Sequence, residues 1–162
     1  MPSRDPNKMD PELRTRYEEW LAACHLVGLD PFLTCTSRTY QEQVATYAQG
    51  REPVETVHAL RALAGMRPIS DKEAKRVVSW TMASKHIVNL SDSDQSNDLC
   101  RAFDFALWHP GRKASWDTKA DVNGNNVADY EECGRIAESM GLVWGGRWKK
   151  PDYAHIELPT IS

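Results

Sequence analysis

The sequence predicts a small α+β fold, N-terminal helices packed on a short antiparallel sheet, on three observations. Helix signals fill the first half of the chain, short strand signals gather late, and no strand–helix alternation of the kind that builds a parallel sheet occurs. The 162 residues suit one domain with a core of its own. No internal repeat or long linker divides them, so residues 1–162 are expected to form a single domain.

The first helix is expected from Pro11 to Val27. Asp10 is a good N-cap, Pro11 suits the first helical position and Gly28 the stop. Leu13, Tyr17, Trp20, Leu21 and Cys24 share one face at helical spacing, which makes it a core-facing helix. PFLTCTSR, rich in Thr and apolar residues, reads as a strand. Thr39 and Glu42 form a capping-box pattern that opens a second helix, closed by Gly50. A third helix follows from Pro53 to Ala64, and Ser70 with Glu73 opens a short fourth before the strand-like run VVSWTM. The wholly polar stretch Ser91–Asp98 has no periodicity and reads as an exposed inserted loop. RAFDFALW is a strand; His109 to Asn126 is a second polar region; VADYEECGRIAESM is a helix stopped by Gly141. Two short strands, Leu142–Trp148 and Tyr153–Leu158, complete the fold.

Composition narrows the function. Twenty Lys and Arg against 23 Asp and Glu give a formal charge of −3, which argues against a protein built to grip nucleic acid. No run approaches the roughly 20 apolar residues of a membrane span, and the N-terminus lacks the apolar core of a signal peptide. Cys24, Cys35, Cys100 and Cys133 form no CxxC pair and read as buried free thiols. The charge is unevenly spread. Ser91–Asp98 carries three acids and residues 117–132 a net −4, which leaves the remainder at +4.

Among five histidines, His25, His58 and His109 read as ordinary surface or core-edge residues, whereas His86 and His155 have company. Asp152 precedes His155 by three residues and Glu157 follows it by two. A hydrolytic zinc site takes three His or carboxylate ligands and leaves one position open. A carboxylate must also accept the water's proton. His86, His155 and one Asp would supply the ligands, and Asp152 or Glu157 the base.

These segments resemble a known family, the zinc D-alanyl-D-alanine carboxypeptidases and L-alanyl-D-glutamate peptidases that cleave peptidoglycan, and most of all its phage-endolysin branch. The family signature Ser-x-His-x-x-Gly-x-Ala-x-Asp is matched by Ser84-Lys85-His86 and then Cys100-Arg101-Ala102-Phe103-Asp104. Its second signature is matched by Gly141-Leu142-Val143-Trp144-Gly145-Gly146-Arg147-Trp148, followed by Asp152-Tyr153-Ala154-His155. SRTYQEQVATYAQGR resembles the family's arginine-bearing segment, and the matches together span residues 34–158. The resemblance implies zinc held by His86, Asp104 and His155, with Asp152 as general base. It further implies that Arg38 binds substrate and steadies the oxyanion, that Ser84 orients the site, and that Glu157 stands behind the zinc histidines. His86 and Asp104 lie 18 residues apart, 11 more than in the family, and Cys100 replaces the family's Gly. An enlarged loop over Ser91–Asp98 accounts for the difference. It leaves Asp92, Asp94 or Asp98 as alternatives to Asp104, which is favoured for its apolar strand context.

DVNGNNVADYEE, residues 121–132, follows the calcium loop of an EF-hand. Asp121, Asn123, Asn125, the Val127 carbonyl, Asp129 and Glu132 occupy the ligand positions, and Asn126 stands where Gly is usual. Bound calcium would be regulatory or structural. Trp20 and Trp80 are expected in the core, Trp144 and Trp148 along the substrate cleft, and Trp108 and Trp116 in either role. The expected activity is zinc-dependent hydrolysis of the L-alanyl-D-glutamate bond of the peptidoglycan stem. The setting implied is a monomeric enzyme made in the host cytoplasm and reaching the wall after a holin-type protein permeabilises the membrane. A D,D-carboxypeptidase or D,D-dipeptidase of the same family, or a non-catalytic wall-binding module, remains as an alternative.

Overall fold

A computed structural model describes residues 2–89, 93 and 98–160. Most of the polar Ser91–Asp98 stretch, with Asp92 and Asp94, lies outside the described residues. Five helices are α1 (Pro11–Leu26), α2 (Tyr40–Ala48), α3 (Val54–Leu63), α4 (Asp71–Ala74) and α5 (Asp129–Ser139). The strands are β1 (Pro31–Cys35), β2 (Arg38–Thr39), β3 (Ile87–Val88), β4 (Ala102–His109), β5 (Lys113–Ser115), β6 (Val143–Trp144) and β7 (His155–Glu157). This is the expected α+β arrangement.

The capping chemistry works as the sequence implies. The Asp10 carboxylate accepts from Glu12 N, and Thr39 and Glu42 make a reciprocal capping box. Gly28 and Gly50 stop their helices with φ of 82°, a conformation closed to most side chains. Most expected strands are shorter than predicted or absent: Leu142–Trp148 keeps only β6 before a 3₁₀ turn at Gly145–Arg147, and Tyr153–Leu158 keeps only β7. PFLTCTSR breaks at Thr36–Ser37 into β1 and β2, and VVSWTM forms no strand but a loop between α4 and β3. The second polar region also holds a short strand, β5, that its composition concealed.

The main sheet runs β1-β4-β7-β6, with β5 on the same edge of β4 as β7, and all its pairings are antiparallel. Alternation along a strand sends successive side chains to opposite faces. Phe103, Phe105 and Leu107 of β4 and Ile156 of β7 therefore enter one core with Leu13, Trp20, Tyr130 and Cys133 of α1 and α5. Asp104, His155 and Glu157 alternate with them and stand on the other face. α3 and α4 pack with α2 in a smaller cluster around Ala48, Val57 and Ala74. All four cysteines are buried free thiols, as expected. Among the described residues no helix is long and apolar enough to cross a membrane.

Candidate metal centre and cleft

Two strands and a loop bring the predicted ligands together. β4 and β7 pair Asp104 directly with His155. His86 comes from the turn before β3. Its carbonyl accepts from Arg38 N, and the neighbouring Lys85 carbonyl accepts from Arg101 N. The loop is thus fastened to β2 on one side and to the residue preceding β4 on the other. The three facing atoms are nearly equidistant. His86 Nε2 lies 3.2 Å from Asp104 Oδ1 and 3.3 Å from His155 Nδ1, and His155 Nδ1 lies 3.1 Å from Asp104 Oδ1.

The outer nitrogens settle what the inner ones offer. His86 Nδ1 is 2.7 Å from the Thr36 carbonyl and His155 Nε2 is 2.9 Å from Glu157 Oε1. Both partners only accept, so both outer nitrogens donate. In the neutral ring each inner nitrogen then turns a lone pair toward Asp104. Three electron-pair donors so placed repel one another unless a proton or cation lies among them. Four ligands at about 2.0–2.1 Å in a tetrahedron stand about 3.3 Å apart, which is the spacing found. The residues fit a divalent cation. Without one, protons take its place. Burial opposes charge on His86, but the Asp104 carboxylate outweighs it and raises the ring to about 10. Burial likewise opposes charge on His155, and hydrogen bonds to Asp104 and Glu157 raise it to about 9. Burial would raise Asp104; the two imidazoles hold it well below the usual carboxylate range.

Asp152 stands at the rim, with a carboxylate oxygen within 4.8 Å of the Asp104 and His155 donors. Burial, and then the Asp104 charge, raises its pKa above the ordinary carboxylate value. Glu157, the alternative base, is occupied: it accepts from His155 and pairs with Lys85 Nζ at 2.5 Å. Arg38 lines the same pocket, of about 210 Å³, with Ser84 and Trp148. Its Nη1 donates to Gln43 Oε1 at 2.6 Å, while its buried Nε has no hydrogen-bond partner among the described residues. Ser84 Oγ accepts from His86 N at 3.2 Å, which braces the ligand loop.

Several expectations change. Trp144 does not line the cleft. It is 1% exposed, packs in the main core and donates from Nε1 to the Tyr153 carbonyl, because β6 turns its side chain toward α5. Trp80 leaves the core for the pocket wall and is 59% exposed, since the loop carrying it never becomes a strand. Trp20 is core as expected, and Trp116 lines an adjoining pocket that shares Asp104 and Asp152. His25 and His58 are surface residues set beside Asp30 and Asp71. Sequence reasoning missed Cys35, whose Sγ lies within 4.8 Å of the His86 and Asp104 donors. The β1–β4 register that pairs Cys35 with Asp104 has no local sequence signal. Asp98 joins no ligand cluster among the described residues.

The 121–132 loop has the predicted turn, with Asn126 at φ 67° and the Asp121 carboxylate accepting from Gly124, Asn125 and Asn126 N. The Asn123 and Asn125 amides both donate to Glu132. Asp129 turns away to accept from Val122 N. The Asp121, Asp129 and Glu132 carboxylates do not converge into a ligand cluster.

Known proteins give three comparisons. A family model described as D-alanyl-D-alanine carboxypeptidase matches residues 93–158. That range includes Asp104, Asp152 and His155 but neither Arg38 nor His86. The chain is 26% identical over 154 residues to the peptidoglycan L-alanyl-D-glutamate endopeptidase CwlK of Bacillus subtilis (strain 168), covering 94% of this chain and 75% of that one. The crystal structure of Serratia marcescens L-Ala D-Glu endopeptidase ChiX superposes with a TM-score of 0.53 at 16% identity, covering 98% of this chain and 89% of that one. At that identity the likeness speaks for the fold.

Proposed function

Because the chain belongs to the peptidase family of D-alanyl-D-alanine carboxypeptidases and L-alanyl-D-glutamate endopeptidases, we propose that it is a zinc-dependent peptidoglycan endopeptidase cutting the L-alanyl-D-glutamate bond of the stem peptide. One observation carries the reading: two imidazoles and one carboxylate, each oriented by an outer hydrogen bond or strand pairing, converge at 3.1–3.3 Å with the Asp152 carboxylate beside them. His86, Asp104 and His155 would hold the metal, which when bound supplies Lewis acidity toward water and the scissile carbonyl. Asp152, at the rim beside the proposed ligands, takes the proton of the attacking water and returns it to the leaving amine. Arg38 offers fixed positive charge to the oxygen of the tetrahedral intermediate. Thr36 and Glu157 keep the imidazoles in the tautomers that bind metal.

Mass spectrometry of peptidoglycan digested by the zinc-loaded protein tests the reading. New D-glutamate N-termini and free L-alanine C-termini are expected. Release of terminal D-alanine would identify a D,D-carboxypeptidase instead, and no new termini would leave a wall-binding module. The lytic setting, with host-cell synthesis and release through a holin-type protein, rests on the resemblance to phage enzymes. It is checked by lysis of cells expressing the chain with and without a holin. Calcium binding at residues 121–132 rests on the EF-hand spacing of the loop alone. Isothermal titration is expected to show binding that Asp121→Ala removes.

A further inference from the structure

Three cations line the cleft, Arg38, Lys85 and Lys150, and two of them are engaged by the protein. Lys85 pairs with Glu157 at 2.5 Å and donates to the Leu158 carbonyl and Thr160 Oγ1. Arg38 donates to Gln43 and to Cys35 Sγ. Lys150 has no carboxylate within ion-pair distance among the described residues. Its Nζ lies 3.8 Å from the centre of the Trp80 ring, an exposed indole that Arg51 also approaches at 5.7 Å.

The indole stands on a held loop. Gln43, fully buried on α2, donates from Nε2 to Ser79 Oγ at 3.0 Å and to the Thr81 carbonyl at 2.7 Å. The same side chain accepts from Arg38. One buried amide therefore sets the loop that carries Trp80 and the cleft arginine, Arg38, in a common frame. An ammonium over an aromatic face keeps its charge and is restrained in position, yet its hydrogens still lack an anionic acceptor.

We propose that Lys150, held over Trp80, is the specificity-determining cation of this cleft and binds a free carboxylate on the substrate residue next to the scissile bond. The proposal rests on the reading of the site as an L-alanyl-D-glutamate peptidase. A glutamate joined through its amine retains two carboxyls, and continuation of the chain uses one. The other remains anionic one residue from the cut. A carboxamide at that position is a neutral isostere, so the two forms differ in the charge that Lys150 reads.

The test compares two product peptides that begin at D-glutamate, one with the free carboxylate and one with the carboxamide. Neither contains the L-alanyl-D-glutamate bond, so binding to the zinc-loaded protein is measured without that cleavage. Calorimetry is expected to give a Kd about tenfold lower for the carboxylate. Lys150→Met, which keeps the stem over Trp80, is expected to remove that preference, and Lys150→Arg to retain it. Equal Kd values for the two peptides in the unaltered protein, or a preference that survives Lys150→Met, would overturn the proposal. Hydrolysis of the matching stem peptides is measured alongside. A protein that cuts neither peptide while binding the carboxylate through Lys150 refutes the activity and keeps the subsite.

Discussion

Asp152 and Glu157 flank the same histidine in sequence and have different surroundings. Glu157 is committed to His155 and Lys85, whereas Asp152 faces the cleft. Asp152→Ala is therefore expected to retain the metal, counted by elemental analysis, while turnover falls by about 10²-fold or more. His155→Ala should lose metal and turnover together. Activity surviving in Asp152→Ala would reassign the base. Glu157→Gln should leave the fold intact and weaken metal affinity about 10–100-fold, measured by competition with a chelator, because the outer hydrogen bond orients the ring and raises its basicity.

At the scale of elements, α5 and the strands after it are locked by one close contact. A Cβ on Gly134 would meet Trp144 Cδ2 at 2.1 Å, inside the packed core. Gly134→Ala is expected to cost about 1–3 kcal/mol through overpacking, read as a lower midpoint in chemical denaturation. On the surface, Arg147 joins Glu131 of α5, at 2.6 Å, to Glu138, at 3.0 Å. Burial raises the Glu131 pKa, and its hydrogen bonds to Arg147 and Arg135 outweigh that and lower it from the ordinary 4.5. A depressed carboxylate stabilises the fold above its unfolded pKa and loses that contribution as pH falls through the folded value. The thermal advantage of the unaltered protein over Arg147→Ala should accordingly be largest above about pH 5 and shrink below it.

For the molecule as a whole, the proposed metal site joins β4, β7 and the His86 loop, so occupancy by a cation would be linked to stability. A cation at about a thousand times its Kd adds about 4 kcal/mol to the folded state, on the order of 10 °C in a chain of this length. Chelation followed by differential scanning calorimetry is expected to lower Tm by that order, and zinc to restore it. No change on chelation would mean that the three donors do not hold the ion. The exposed Trp80 and Trp148 beside the centre also make tryptophan fluorescence a direct readout of cleft occupancy.

Much of this was legible in the chain. Capping residues and helical spacing placed α1 and α2 within a residue or two, because those signals act over one or two turns. The convergence of His86, Asp104 and His155, the proposed ligands, with Asp152, the proposed base, beside them, was anticipated by signatures in which each residue's chemistry is tied to its spacing. The apolar strand expected around Asp104 is present as β4, where alternation leaves one face for polar side chains. Tertiary structure alone decided the rest. Trp144 and Trp80 exchange their expected places, because the side of the sheet an indole faces depends on strand pairing and not on its neighbours in sequence. Cys35 reaches the metal centre through a bulged register, and Lys150 meets Trp80 across 70 residues. Local sequence specifies turns and the identity of reactive groups; the environment of each group is set by contacts between distant segments, which are fixed only when the core has packed.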